Sequence, residues 1–245
     1  MNYKLTLAYD GSGYSGWQSQ KNAVAVQDVF QEALFHTIGS RPVIMGCSRT
    51  DAGVHAIMYV CSFKAENPVP LEKMPLVLNN FLPRDIRVYS AEVVPDKFDA
   101  RFSARGKTYI YRISNRHKIA DPFLYKYVWH FPRELDVSLM HSAAQELVGT
   151  HHFDAFAASG GTHKSSVRTV KSLSVTEREQ IIEIEITADA YLYNMVRIIA
   201  GTLAYVGEGR IPAGELPVIL DGRDRTKAGI TAPPNGLFLK EVMYN

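Results

Sequence analysis

The chain has 245 residues, 46% of them hydrophobic and 21% charged, which is the composition of a globular protein with one large or two small domains. The net charge of +2 excludes a globally basic protein. If the chain binds nucleic acid, its positive charge must be concentrated in a local region of the sequence. Two cysteines suggest neither a disulfide framework nor a zinc site. The start alternates like a strand, and no apolar run would span a bilayer, so we expect a cytoplasmic protein without a membrane partner.

Hydrophobic periodicity predicts the secondary structure along the chain. Strand-like runs occur at 4–9, 43–45, 57–63, 86–94, 107–113, 167–175, 181–187 and 237–244. Helical spacing occurs at 26–38, in part of 71–82, and at 193–206. Strands dominate, and the second half repeats the pattern of the first. We therefore predict an α+β fold with two halves, 1–100 and 101–245, each with a largely antiparallel sheet and helices on one face.

The strongest local charge lies in residues 97–118, where seven cations stand against the single acid Asp99. Phenylalanines and tyrosines are interleaved with these cations, and strand alternation puts Lys107, Tyr109 and Tyr111 on one face. Cations neutralise phosphates and aromatic rings stack on exposed bases, so the segment indicates RNA or DNA binding. A solvated basic hairpin would have the same composition. A second basic stretch, 163–171, has residue types that suit phosphate contacts, but by itself it is more typical of an ordinary polar connection.

Asp51 is the candidate for chemistry, in the octapeptide 49–56 between two strand-like runs. A carboxylate can act as nucleophile or general base, and it needs a nearby cation to stay ionised in a closed pocket. Arg49 is two residues away, and Arg197 lies in an otherwise apolar helix. The alternatives are a turn aspartate before glycine and an arginine that reaches from a helix edge to water. No spacing of residues indicates a metal, ATP or NAD.

Several segments, in order, resemble the TruA family of tRNA pseudouridine synthases over nearly the whole chain. The segment around Asp51 is similar to the catalytic motif of that family. The others are residues 8–11 with 16–18, 98–111, 149–153 with 166–169, 194–197 and 232–237.

The resemblance implies the pseudouridine synthase fold, with an active-site cleft between two similar halves. It implies conversion of uridine to pseudouridine at positions 38, 39 and 40 of the tRNA anticodon stem-loop. Asp51 would be the nucleophile, Arg49 would enter the helix as the target base flips out, Tyr109 would pack on that nucleotide, and Arg197 would pair with Asp51. The family also implies a homodimer that binds tRNA and uses no metal or cofactor.

A three-residue segment and one further residue depart from the family pattern. Ile57 and the two residues after it stand where a Gly-Gln pair is commoner, and Asp99 stands where histidine is commoner.

Two other functions compete with the enzyme. A non-catalytic RNA-binding or RNA-chaperone module would not require the carboxylate of Asp51. A glycoside hydrolase would usually need a second positioned acid, and no paired-carboxylate motif is apparent near Asp51.

Overall fold

A computed structural model of the chain describes residues 1–66, 69–115, 119–161 and 164–244. Four residues of the predicted basic stretches, Arg116, His117, Lys118 and His163, lie outside these ranges. The helices and strands are β1 (Asn2–Tyr9), α1 (Val26–Ile38), β2 (Met45–Gly46), β3 (His55–Lys64), α2 (Met74–Phe81), β4 (Ile86–Val94), β5 (Gly106–Ser114), β6 (Trp129–His130), α3 (Val137–Gln145), β7 (Gly149–His152), β8 (Val167–Arg178), β9 (Ile181–Ala188), α4 (Met195–Gly207), α5 (Leu216–Gly222) and β10 (Leu237–Met243).

The chain forms two compact units. Unit 1 consists of Met1–Arg105 together with Phe238–Asn245, and unit 2 consists of Gly106–Leu237. The halves predicted from the sequence were 1–100 and 101–245, so the units differ from them at the end of the chain. The reason is that β10 pairs in parallel with β3, with Phe238 opposite His55, which returns the last strand to unit 1.

Unit 1 is built on a mixed sheet in the order β4-β1-β3-β10. β1 pairs antiparallel with both β3 and β4, and the short β2 pairs antiparallel with β3. Helix α1 begins where the Asp28 carboxylate accepts the Ala25 N–H at 3.0 Å, and it ends at Gly39 with φ of 73°. Its buried face includes Phe30 and Leu34, as the predicted helical spacing at 26–38 requires.

Unit 2 is built on an antiparallel sheet in the order β5-β9-β8-β7, with β6 pairing in parallel with β5. In β9 buried residues alternate with half-buried ones, which confirms the predicted half-exposed strand. Helix α3 contacts β8 and α4. Both units therefore have the predicted α+β character with largely antiparallel sheets.

The sequence did not predict α3 or α5, and it overestimated the strand at 43–45. Helix α3 buries only Met140, Ala143 and Ala144, a stripe too small to give a strong periodic signal. Helix α5 has seven residues, so its apolar run is too short to distinguish a helix from a strand. The strand before Asp51 consists of Met45–Gly46 alone, since only these residues pair with β3. None of the helices in the described ranges has the length and apolarity needed to cross a bilayer.

Candidate active site

Asp51 lies on the loop of residues 47–54, which connects β2 to β3 and is called here the Asp51 loop. The Val54 N–H donates to the Asp51 carbonyl at 3.1 Å, and Gly53 has φ of 78°. These are the features of a tight turn whose third residue needs a positive φ. The interpretation of Asp51 as a turn residue is therefore correct for its backbone. Since main-chain atoms close the turn, the local structure does not require a carboxylate.

The N-terminal segment of residues 9–17 packs directly against the Asp51 loop. The Trp17 N–H donates to the Thr50 carbonyl at 3.3 Å, and the Gly53 N–H donates to the Tyr14 carbonyl at 3.2 Å. The Tyr9 hydroxyl lies 2.8 Å from the Thr50 hydroxyl, and both groups are buried. The 9–17 segment therefore holds the loop on both sides of Asp51.

Two glycines of the 9–17 segment permit this close approach. A Cβ on Gly11 would overlap the Val54 carbonyl oxygen, and a Cβ on Gly16 would overlap the Thr50 carbonyl oxygen. Gly16 also has φ of 84°, a conformation that other L residues adopt at a cost. The glycine-rich pattern of the N-terminal signature is thus explained by backbone contact with the Asp51 loop.

An aromatic cluster lies beneath the loop. The rings of Trp17 and Tyr59 stack at 4.1 Å between centroids, and Tyr9 and Phe30 pack against this pair. The Tyr59 hydroxyl donates to the Ser48 carbonyl at 2.6 Å, and burial raises the pKa of Tyr59 well above its usual value. A buried, neutral tyrosine therefore anchors the start of the loop to the core.

His55, at the base of the loop, is 1% exposed. Its ring stacks on Phe238 at 4.6 Å, and its Nδ1 lies 3.2 Å from an Asp10 carboxylate oxygen. The prediction that the histidines are satisfied or surface groups is confirmed for His55. No group of three or more His, Cys, Asp or Glu side chains that could hold a metal ion occurs within the described ranges.

Arg49 and Asp51 differ in exposure, although they are two residues apart. Arg49 is exposed, whereas Asp51 is half-buried. The two charged residues of this loop therefore differ in their access to solvent.

Tyr109 lies in the middle of β5 in unit 2. It is 6% exposed, and its ring meets the ring of Tyr191 edge to face at 4.9 Å. Tyr191 is itself held by β5 and β9, because its hydroxyl lies 2.8 Å from the Lys107 carbonyl and 2.9 Å from the Ile186 carbonyl. Tyr109 is therefore a rigid aromatic group with little accessible surface.

Arg197 lies in the first turn of α4, because α4 begins at Met195. Its Nε donates to the Ala232 carbonyl at 2.7 Å, and its Nη1 donates to the Asn194 side chain at 2.9 Å. Its charge also lowers the pKa of Tyr111, although burial raises that pKa more strongly. A cation near a helix N-terminus is electrostatically unfavourable, so these acceptors offset the helix dipole.

The structure therefore places Arg49 and Asp51 on one loop of unit 1, and Tyr109 and Arg197 on two elements of unit 2. The ion pair between Arg197 and Asp51 stays a prediction. The sequence did not single out Tyr9, Asp10 or Tyr59 as support for the loop. For Tyr9 and Asp10, the signal was their place in the 8–11 segment that resembles the family.

The basic segment of residues 97–118 divides into structural and exposed cations. Arg112 forms an ion pair with Glu183 at 2.8 Å, so this cation has a structural partner. Arg101 is exposed, and its guanidinium lies over the ring of Phe102, which is also exposed. The Asp99 carboxylate accepts the backbone N–H groups of both residues, at 2.7 and 2.9 Å. Asp99 thus forms the turn that presents a cation and an aromatic ring to solvent.

Known proteins resemble this chain over its whole length. A family model described as tRNA pseudouridine synthase matches residues 6–103 and 143–245, leaving out the segment that contains Tyr109. The tRNA pseudouridine synthase A of Thermoanaerobacter sp. (strain X514) is 49% identical over 243 residues, which are 99% of each chain. The tRNA pseudouridine synthase A 2 of Clostridium tetani is 44% identical over 246 residues, which are 100% of this chain and 99% of the relative.

The relative from Ruminiclostridium cellulolyticum, also a tRNA pseudouridine synthase A, is 46% identical over 242 residues and 98% of each chain. These matches extend over both units and include the Asp51 loop, the 9–17 segment and α4. The chain belongs to the tRNA pseudouridine synthase family, whose members isomerise uridine to pseudouridine in tRNA.

Proposed function

We propose that Asp51 is the nucleophile of this tRNA pseudouridine synthase and that its targets are uridines 38, 39 and 40 in the anticodon stem-loop. Pseudouridine formation in tRNA follows from family membership. The observation that carries the role of Asp51 is its place on a loop held on both sides by the 9–17 segment. A carboxylate needs such a fixed backbone to meet a reacting atom at a defined distance.

The reaction breaks the bond between uracil N1 and the sugar C1′ and forms a bond between C5 and the same C1′. The proton on C5 is lost to solvent, N1 gains a proton, and no oxidant or energy source is consumed. A carboxylate nucleophile can hold the sugar or the base while the uracil turns, and it leaves unchanged at the end. The proposal therefore needs one reactive acid and a site that keeps the detached base in place.

A stacked uridine hides its glycosidic bond, so it must first leave the helix, at a cost of roughly a few kcal/mol. We propose that Arg49, which is exposed, occupies the vacated space. Its guanidinium would form hydrogen bonds with the bases left behind. Tyr109, which is 6% exposed, would then pack on the extruded base. Its packing against Tyr191 fixes the ring orientation, so the base would dock on a rigid surface.

Arg197 is the counter-ion we propose for Asp51. Its hydrogen bonds to Ala232 and Asn194 hold the guanidinium at the start of α4. A charged partner favours the ionised carboxylate, which is the nucleophilic form. We further propose a homodimer in which one tRNA contacts both subunits, acting in the cytoplasm without a metal or cofactor.

Release of tritium from tRNA labelled at uridine C5 tests the role of Asp51. The wild-type chain should release tritium, and the Asp51→Asn and Asp51→Ala variants should release none while they bind tRNA as the wild type does. Asp51→Asn is the sharper variant because it keeps the size of the side chain. Release at the wild-type rate by either variant would remove Asp51 from the mechanism.

The target positions need a separate experiment. Three transcripts, each with a single labelled uridine at position 38, 39 or 40, should all lose tritium. A transcript with its only labelled uridine outside the anticodon stem-loop is the control. Release from that control at a comparable rate would contradict the proposed target positions but would leave the proposed role of Asp51 unaffected.

A further inference from the structure

The Asp51 loop is anchored by side chains immediately before and shortly after the proposed nucleophile. Before it, the Thr50 hydroxyl lies 2.8 Å from the Tyr9 hydroxyl, and the two residues are 8% and 4% exposed. After it, His55 Nδ1 lies 3.2 Å from an Asp10 carboxylate oxygen. Tyr9 and Asp10 are consecutive, so one short piece of chain at the end of β1 holds both ends of the loop.

The Tyr9–Thr50 contact is the more specific of the two anchors. Both hydroxyls are buried, and either one can donate the single proton that the bond requires. Tyr9 cannot shift easily, because its ring packs against Tyr59 at 5.5 Å and Trp17 at 6.2 Å. Thr50 is covalently next to Asp51, so a rotation at Thr50 moves the carboxylate directly.

The anchor at His55 rests on a shared nitrogen. The Gly11 N–H lies 3.1 Å from Nδ1, the atom that also faces Asp10. Nδ1 can accept from Gly11 or donate to Asp10 but cannot do both at once. The Asp10 oxygen also accepts the Ser12 N–H at 2.9 Å, so the carboxylate is itself held by the turn that follows β1. In either protonation state, the ring is tied to residues 10–12.

The far side of the His55 ring is also covered. Phe238 of β10 stacks on it at 4.6 Å with an interplanar angle of 20°. The imidazole is thus confined between the turn after β1 and the last strand of the chain. A ring confined on both sides fixes the backbone at the end of the Asp51 loop.

We propose that Tyr9, Thr50, Asp10 and His55 are positioning residues that set the place and orientation of the Asp51 carboxylate. The proposal rests on the proposed function of Asp51. None of the four residues is assigned contact with the substrate. Their effect on the rate arises because a misplacement of about 1 Å can cost on the order of 100-fold in rate.

The isosteric variants Tyr9→Phe and Thr50→Val each remove one hydroxyl of the pair. Each should lower kcat by roughly 10-fold to 100-fold and leave the KM for tRNA within about twofold, because the loop moves but the RNA-binding surface does not. Each single variant leaves one buried hydroxyl without its partner, so each should also unfold at a lower temperature.

The double variant Tyr9→Phe/Thr50→Val separates positioning from stability. With both hydroxyls gone, no buried donor is stranded, so its unfolding temperature should return close to that of the wild type. Its kcat should stay as low as that of the slower single variant, because both substitutions remove the same bond. Recovery of kcat together with stability would show that the bond is only structural and would overturn the proposal for this pair.

The second anchor is tested at Asp10. Asp10→Asn keeps an oxygen that can accept from the Ser12 N–H and from an Nδ1–H, whereas Asp10→Ala removes it. We expect Asp10→Asn to keep kcat within about threefold of the wild type and Asp10→Ala to lower it roughly 10-fold at an unchanged KM. Equal kcat in Asp10→Ala and the wild type would remove this anchor from the proposal.

Asn79→Ala is the matched control in unit 1. The Asn79 side chain donates to the Val88 carbonyl and accepts the Val88 N–H, both at 2.9 Å, so it ties α2 to β4 away from the Asp51 loop. It should lower the unfolding temperature without lowering kcat. Measuring Asp51→Asn in the same assay separates the proposed role of Asp51 as nucleophile from the proposed role of the positioning residues. An active Asp51→Asn variant refutes the proposed nucleophile, whereas an inactive one beside a fully active Tyr9→Phe variant refutes the positioning alone.

Discussion

Gly16→Ala should disable the Asp51 loop without altering any chemical group in the site. The new Cβ would overlap the Thr50 carbonyl oxygen and lie 3.1 Å from the Asp51 carbonyl carbon. Restoring ordinary van der Waals contact requires the two backbones to separate by roughly 1 Å. Because a shift of about that size can cost on the order of 100-fold in rate, we expect kcat to fall by roughly that factor.

Stability should fall as well, from two sources. A non-glycine residue at a φ of 84° costs about 1–2 kcal/mol, and forcing the backbones apart costs about 1–3 kcal/mol more. For a chain of this size, each kcal/mol lowers the melting temperature by about 2–4 °C. Activity must therefore be measured well below the transition, with the folded fraction checked by circular dichroism.

Gly39→Ala supplies the matched control. Gly39 also has a left-handed φ, of 73°, at the end of α1 in the same unit, but its Cβ would have nothing within 4 Å. It carries the backbone cost without the overlap, so it should lose stability and keep kcat. The assay is tritium release from C5-labelled tRNA at saturating substrate. If Gly16→Ala and Gly39→Ala have the same kcat, the contact between Gly16 and the loop does not position Asp51.

Two further predictions concern unit 2 and alkaline pH. Arg197→Lys keeps the charge but cannot hold both acceptors of the guanidinium, so kcat/KM, measured at a temperature where the variant is fully folded, should fall at least about 10-fold; an unchanged kcat/KM would contradict the role of its geometry. Burial raises the pKa of Tyr59, Tyr111 and Tyr191 above the usual value of 10.0. Stability from these groups is complete below pH 10 and is lost as pH rises above it, because the unfolded tyrosines ionise first. Urea unfolding between pH 8 and 11 should show this decline, and Tyr59→Phe should make it less steep; an equal slope in both proteins would contradict the assignment.

The family could be predicted from the sequence, and Asp51 could be proposed as the reactive acid, because both depend on residues that are close together in the chain. The segment around Asp51 is a contiguous motif, and its glycine and flanking strands are local features. Helix α1 and the alternating strand β9 were predicted for the same reason, since their periodicity lies within a single element. Local patterns therefore identified many of the elements and the candidate nucleophile.

The support of the Asp51 loop could not be predicted, because it depends on contacts between distant residues. Tyr9 and Thr50 are 41 residues apart, and a hydrogen bond between two such distant hydroxyls produces no periodic pattern in the sequence. Strand alternation placed Tyr109 on one face of β5 but could not show that Tyr191 covers its ring. The position of Arg197 within its helix depended on where α4 begins. Asn194 adopts a left-handed conformation there, which the sequence pattern did not indicate.

The arrangement of unit 1 explains why both ends of the chain belong to the family pattern although neither carries the proposed nucleophile. Strand β3, on which the Asp51 loop ends, lies between β1 and β10. The turn after β1 supplies Asp10 and Gly11 to one side of His55, and β10 supplies Phe238 to the other. A reactive carboxylate on a connecting loop would otherwise move freely, as loops do. The two termini flank the loop and thereby convert a connection between strands into a rigid support for one side chain.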